Sequence, residues 1–209
     1  MQIFSTSIIV LFFFLLSSLG LSAQDSTYIY YEAGELKAKG LLVETKQIGT
    51  WQYFYPSGEI NAQLPYKNDQ LHGEVRYYYP NQQLKSIEYW QNDLLHGEAI
   101  YYHSNGRLHK KGRYVQGVYE GEWIFYYANG SIEKKGHYQH GVPHGSWYFA
   151  TEKGTPEQEG KFFEGKRQGL WRFYTPKGQL QYEGHYDHDE PIGQWYEYKR
   201  GKRRKYQYY

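Results

Sequence analysis

The 209 residues carry 24 basic and 22 acidic side chains for a net charge of +2, with no cysteine and a single methionine. Without cysteine the chain has neither disulfides nor a thiol for lipid attachment, and so balanced a charge argues against a nucleic-acid channel along the body. Aromatic residues make up 20%, led by 26 Tyr and 6 Trp, which argues against a conventional aliphatic core and for strands with half-buried rings.

In chain order, the first segment, 1–23, reads as an export signal. Ile8 to Leu16 is an unbroken apolar run, small residues come next, and Leu21-Ser22-Ala23 before Gln24 suits cleavage. No Lys or Arg precedes Ile8, so an uncleaved membrane anchor spanning Ile3 to Leu21 is the alternative. The expected location is periplasmic, outer-membrane-associated or secreted.

Residues 25–48 read as a degenerate capping repeat, in which Ile29, Tyr30, Gly34, Leu36 and Gly40 keep the phase of the later units. From there Gly49, Gly73, Gly97, Gly121, Gly145, Gly169 and Gly193 recur every 24 residues without insertion or deletion. Residues 49–192 thus hold six full units, and 193–209 begin a seventh. Two residues after each anchor glycine stands Trp51, Val75, Ala99, Trp123, Trp147, Trp171 or Trp195. Two further on come Tyr53, Tyr77, Tyr101, Phe125, Phe149 and Phe173, with Glu197 breaking the row. A second aromatic row comes at Tyr66, Trp90, Tyr114, Tyr138, Phe162 and Tyr186.

Each unit reads as a β-hairpin. Asn105-Gly106 and Asn129-Gly130 are strong signals for a two-residue turn with both residues at positive φ. On the strand after the turn Glu133, Lys135 and His137 alternate with Ile132, Lys134, Gly136 and Tyr138, a period of two. With Asn129-Gly130 as the loop, Ala128 pairs with Ser131 and Trp123 falls opposite Gly136. The same count sets Trp147 opposite Gly160, Trp171 opposite Gly184 and Val75 opposite Glu88. An indole facing a bare backbone can lie flat across it. Trp51 opposite Leu64 does not fit this rule.

The pattern from Gly121 to Tyr138 resembles the MORN repeat, most closely the bacterial variant seen in YwqK-type antitoxins. The resemblance covers Gly49 to about Tyr198. It implies an all-β, elongated, single-layer antiparallel sheet of stacked hairpins and says little about chemistry, such arrays being mostly associated with protein or phospholipid binding. The signal segment before it is expected to be helical, and its presence departs from a cytoplasmic antitoxin. At two strands per unit, successive repeats should advance about 10 Å.

No catalytic or metal constellation stands out. His72, His96 and His144 share one repeat position and lie too far apart for a common ion, while His137 and His140, or His185 and His188, lie across a strand end and a loop. Glu74, Glu98 and Glu122 recur in phase, as scaffold residues do. No enzyme activity and no cofactor are expected. The segment Lys199 to Tyr209 concentrates Lys199, Arg200, Lys202, Arg203, Arg204 and Lys205 without an acid. It reads as a capping hairpin turning at Arg200-Gly201, its charges guarding the sheet edge, or else as a patch for anionic headgroups.

The expected function is an exported, non-catalytic scaffold, binding a protein partner, envelope polymer or lipid headgroups through its aromatic rings. The open strand edges also leave room for a homo-oligomer. Cell-wall or glycan binding is the second reading, and an antitoxin-like neutralising role, by family analogy alone, the third.

Overall fold

The computed structural model describes residues 26–207; the expected signal segment and its helix lie outside them. The cap forms β1 (Ser26–Tyr30) and β2 (Leu36–Val43). The next units contribute β3 (Lys46–Phe54) and β4 (Ile60–Lys67), then β5 (Gln70–Leu71) with β6 (Gly73–Tyr78) and β7 (Leu84–Gln91). They continue with β8 (Leu94–Tyr102), β9 (Leu108–Val115), β10 (Val118–Tyr126) and β11 (Ile132–Gln139). The last full units are β12 (Val142–Ala150), β13 (Pro156–Phe163), β14 (Lys166–Tyr174) and β15 (Leu180–Asp187), and β16 (Glu190–Lys199) and β17 (Lys202–Tyr206) close the array. All lie in one open antiparallel sheet of 17 strands, each pairing with its neighbours in the chain except that β5 and β6 both pair with β4. No helix occurs among the described residues.

Two kinds of turn alternate, and their placement corrects one expectation. The loop at Asn129-Gly130 has three residues, not two. Tyr127 N–H bonds the Ser131 carbonyl at 2.9 Å and Gly130 N–H the Tyr127 carbonyl at 2.8 Å, with Gly130 at φ +93°. This is a tight turn closed by one left-handed residue, which demands positive φ only once. Gln82, the exception to glycine at this position, takes φ +64°. The turns with two left-handed residues join one unit to the next, as at Asn68-Asp69 (φ +51°, +70°), Gln116-Gly117 (+49°, +83°) and His140-Gly141 (+51°, +83°). Arg200-Gly201 (+51°, +72°) makes the same turn in the final hairpin.

The register nevertheless falls where the count placed it. Tyr126 pairs with Ile132 but Phe125 with Lys134, so one residue bulges out, and Trp123 arrives opposite Gly136. The longer loop and the bulge offset each other by one residue. Trp147 opposite Gly160, Trp171 opposite Gly184, Val75 opposite Glu88 and Trp51 opposite Leu64 arise the same way.

A second bulge marks each anchor glycine. Gly136 pairs with Trp147 but His137 with His144, which leaves Gly145 (φ +72°) and Ser146 looped out. Such bulges bend a strand and sharpen its twist. They also release a carbonyl from the ladder, and the indole N–H takes it. Trp51 donates to Leu41 O at 3.1 Å, Trp123 to Arg113 O at 3.0 Å, Trp147 to His137 O at 3.1 Å and Trp171 to Lys161 O at 3.0 Å.

Candidate binding face

The indoles lean towards the preceding hairpin, which settles which glycine each one covers. A Cβ built on Gly136 would run into the ring of Trp147, not Trp123; Gly112 lies under Trp123, Gly160 under Trp171, Gly184 under Trp195 and Gly40 under Trp51. Trp51 therefore obeys the rule, and Leu64 lies on its uncovered side. Each tryptophan is walled in by neighbours as well. The edge of the ring nine residues earlier meets it, with centroids 5.0–5.1 Å apart for Tyr114–Trp123, Tyr138–Trp147, Phe162–Trp171 and Tyr186–Trp195. The ring two residues later lies alongside, as in Trp147–Phe149 at 5.6 Å.

This changes the role of the tryptophans expected to meet a ligand. Trp51, Trp123, Trp147, Trp171 and Trp195 are 0–4% exposed, and Tyr114, Phe125 and Tyr186 are buried with them. They are the foundation of the face. Half-buried rings remain at Tyr53, Tyr77, Tyr101, Phe149 and Phe173, and at Tyr66, Trp90, Tyr138 and Phe162. Between them lie cationic side chains: Lys110 Nζ is 4.3 Å from the Tyr101 ring centroid, Lys134 Nζ 4.7 Å from Phe125, and the Arg167 guanidinium 4.0 Å from Tyr186. The face can thus offer apolar area, hydroxyls and cation–π contacts together.

The symmetry fails in two adjacent units, at Val75 and Ala99. The strand between them, β7, carries Glu88 where Gly40, Gly112, Gly136, Gly160 and Gly184 stand in other units, Leu64 being the other departure. Glu88 is 8% exposed, and its Oε2 accepts the Trp90 indole N–H at 3.1 Å. The Tyr101 hydroxyl lies 3.2 Å from that of Tyr114, and Lys110 donates to the Tyr119 hydroxyl at 2.8 Å. Burial, then the bond to Tyr114, then the charge of Glu88 push the Tyr101 hydroxyl far above its ordinary pKa. Burial and the same carboxylate raise Tyr77. In the sequence Glu88 stands out only as the partner of Val75. The signal that could have found it is the joint loss, eleven residues apart, of glycine at 88 and tryptophan at 99.

The remaining candidates are dispersed. His137 and His144 face each other across β11 and β12, and among the described residues no group of three or more His, Asp or Glu side chains is placed to hold a metal ion. In the basic tail Arg203 stacks on Tyr196 at 3.4 Å and reaches Glu183 at 3.5 Å, Lys199 pairs with Glu197 at 3.1 Å, and Arg200, Lys202, Arg204 and Lys205 are exposed.

Five segments, 47–68, 71–92, 95–116, 119–140 and 167–188, match the model of the MORN repeat variant, just over half of the chain. The unit at β12 and β13 lies outside these segments yet keeps Trp147 opposite Gly160. Comparison with curated proteins gives no match. Among solved structures, a GtfA/B complex bound to UDP and GlcNAc is 13% identical, covering 57% of this chain and 24% of that one, with a TM-score of 0.24. A TcdB2-TccC3-Cdc42 structure is 11% identical over 83% of this chain and 12% of that one, with a TM-score of 0.25. The Photorhabdus luminescens Tc holotoxin pore is 12% identical over 85% and 12%, with a TM-score of 0.24. The chain spans a quarter or less of these structures' length, and the likenesses are too slight to bear on function.

Proposed function

This chain belongs to the MORN repeat variant family, and on that footing we propose that it is an exported, non-catalytic scaffold whose aromatic face receives a protein partner or an envelope component. The observation that carries the reading is the in-phase row of half-buried rings, Tyr53, Tyr77, Tyr101, Phe149 and Phe173, in which Tyr53, Phe149 and Phe173 pack beside buried tryptophans. Tyrosine and tryptophan supply much of the binding energy of interfaces, because they bury large area with few rotatable bonds. A row repeated at one spacing suits an extended partner. The candidate acidic residues Glu74, Glu98 and Glu122 recur in phase, as scaffold residues do, which is why a scaffold is preferred to an enzyme.

The test is capture from intact cells. The full chain is cross-linked, recovered and compared with a Tyr53→Ser, Tyr77→Ser, Phe149→Ser variant that leaves the tryptophans in place. Enrichment of one partner, lost in the variant and kept when Tyr148 on the opposite face is changed to Ser, is the expected result. Equal capture by both chains, or capture of nothing, defeats the reading. The captured species also separates a wall polymer from a protein, and a toxin would bring back the neutralising role. Cell fractionation tests export independently: chain found only in the cytoplasm removes that part.

A further inference from the structure

One rule governs the centre of the sheet, an indole with a glycine eleven residues before it, and it holds for Trp51, Trp123, Trp147, Trp171 and Trp195. It fails for Val75, preceded by Leu64, and for Ala99, preceded by Glu88. In the regular part of the face Trp123, Gly136 and Trp147 stand side by side on three strands. Here the corresponding trio is Val75, Glu88 and Ala99, flanked along the strands by Trp90 on one side and by Tyr77, Ser86 and Tyr101 on the other. Two indoles have been exchanged for one carboxylate.

That exchange is unfavourable for the fold alone. A buried carboxylate costs stability unless a cation meets it. Among the described residues no Lys, Arg or His makes an ion pair with Glu88. Its hydrogen bond is to a neutral donor, the Trp90 indole. Lys110 donates to the Tyr119 hydroxyl and lies 4.3 Å over the Tyr101 ring, without forming an ion pair with Glu88. A carboxylate has about four lone-pair sites, so acceptor capacity remains for further N–H donors. Negative charge beneath aromatic rings is the arrangement that attracts an organic cation.

We propose that Glu88, with Trp90 and Tyr77, forms a binding site for a primary alkylammonium group, as borne by a lysine side chain or a free amine. Among the described residues the site occurs once, so it fixes where along an otherwise periodic face a ligand is registered. It rests on reading this face as the binding surface, and its test does not require the partner to be known.

The full chain is titrated with butylammonium chloride at constant ionic strength while the indole N–H signals are followed by NMR. Saturable movement of the Trp90 signal is expected, with the buried indoles Trp123, Trp147 and Trp171 unmoved as internal controls. Glu88→Gln should weaken the response at least tenfold. The combination Glu88→Gly with Ala99→Trp restores one indole over a glycine; it should raise the melting temperature and abolish the response. Tetramethylammonium, which has no N–H, and pentanol, which has no charge, should fail to reproduce it. A lysine-containing peptide that binds more tightly than butylammonium assigns the ligand to a protein side chain, and the reverse order to a free amine. No Trp90 movement in the folded chain, an equal response to pentanol, or binding that survives in the rebuilt chain overturns the site. Partner capture through the tyrosine row would stand in that event.

Discussion

Gly136 sits between Trp123 and Trp147 on the neighbouring strands, and its lack of a side chain leaves room for the Trp147 ring. Gly136→Ala would press a methyl group into the Trp147 ring and should cost about 3 kcal/mol. Gly130→Ala, in open space but at φ +93°, should cost only about 1–2 kcal/mol. Urea unfolding of the two variants separates crowding from backbone strain. Trp123→Ala leaves a hole at a site with no exposure and should cost about 4 kcal/mol. Tyr174 carries the pH prediction. Burial and the hydrogen bond it donates to Glu159 at 2.7 Å push its hydroxyl up to about 12 from an ordinary 10.0. The unfolded chain therefore gives up this proton first, so the stabilisation is intact below pH 10 and is lost as pH rises towards 12. Tyr174→Phe should flatten the fall in urea midpoint across that interval, and an unchanged slope would count against it.

At the scale of the hairpin, each unit is tied to the next at both ends. The Asn129 side chain accepts the Ser131 N–H at 2.8 Å within its own loop and donates to Glu152 O of the next loop at 2.6 Å. Asn105 does the same with Arg107 and Ala128. The Tyr31, Tyr55, Tyr79 and Tyr127 hydroxyls each bond a carbonyl 23 residues on. The ladder of tyrosines stops there, and Thr151 and Thr175 bond within their own loops. At the opposite end Gly141 N–H reaches back to Tyr119 O at 3.0 Å. Asn129→Ala should therefore loosen two neighbouring loops for about 1–2 kcal/mol. Hydrogen exchange should quicken at 127–131 and 151–155 while the Trp123–Gly136 strands keep their protection; uniform quickening would mean the loops do not act locally.

For the whole molecule, these ties favour a constant 24-residue step, in which each covered glycine stays eleven residues before its indole. Deleting 145–168 brings Trp171 over Gly136 and should leave a shorter folded sheet with a lower melting temperature, as expected of a linear array. Deleting 145–156 alone should abolish folding, because it leaves the phase wrong by half a unit; circular dichroism decides between the two. The ends of the sheet differ. The exposed β17 carries Lys202, Arg203, Arg204 and Lys205, charges that discourage pairing, whereas β1 has no charge and leaves Tyr28 and Tyr30 more than half exposed.

The sequence by itself determined the hairpin unit, its length, the single sheet and the pairing of Trp123 with Gly136, because period and strand register are local properties carried by glycine and turn residues. Turn type was not legible in the same way. Asn-Gly at 129–130 satisfies either kind of tight turn, and only the compensating bulge near Ile132 shows which was taken. Every strand also has two neighbours, and nothing in a linear pattern says towards which one an indole leans. The structure sets Trp147 over Gly136, buries the tryptophans expected to meet a ligand, and places Glu88 among rings without a counter-ion. Burial depends on what several strands bring together at one point, and that is decided only when the sheet forms.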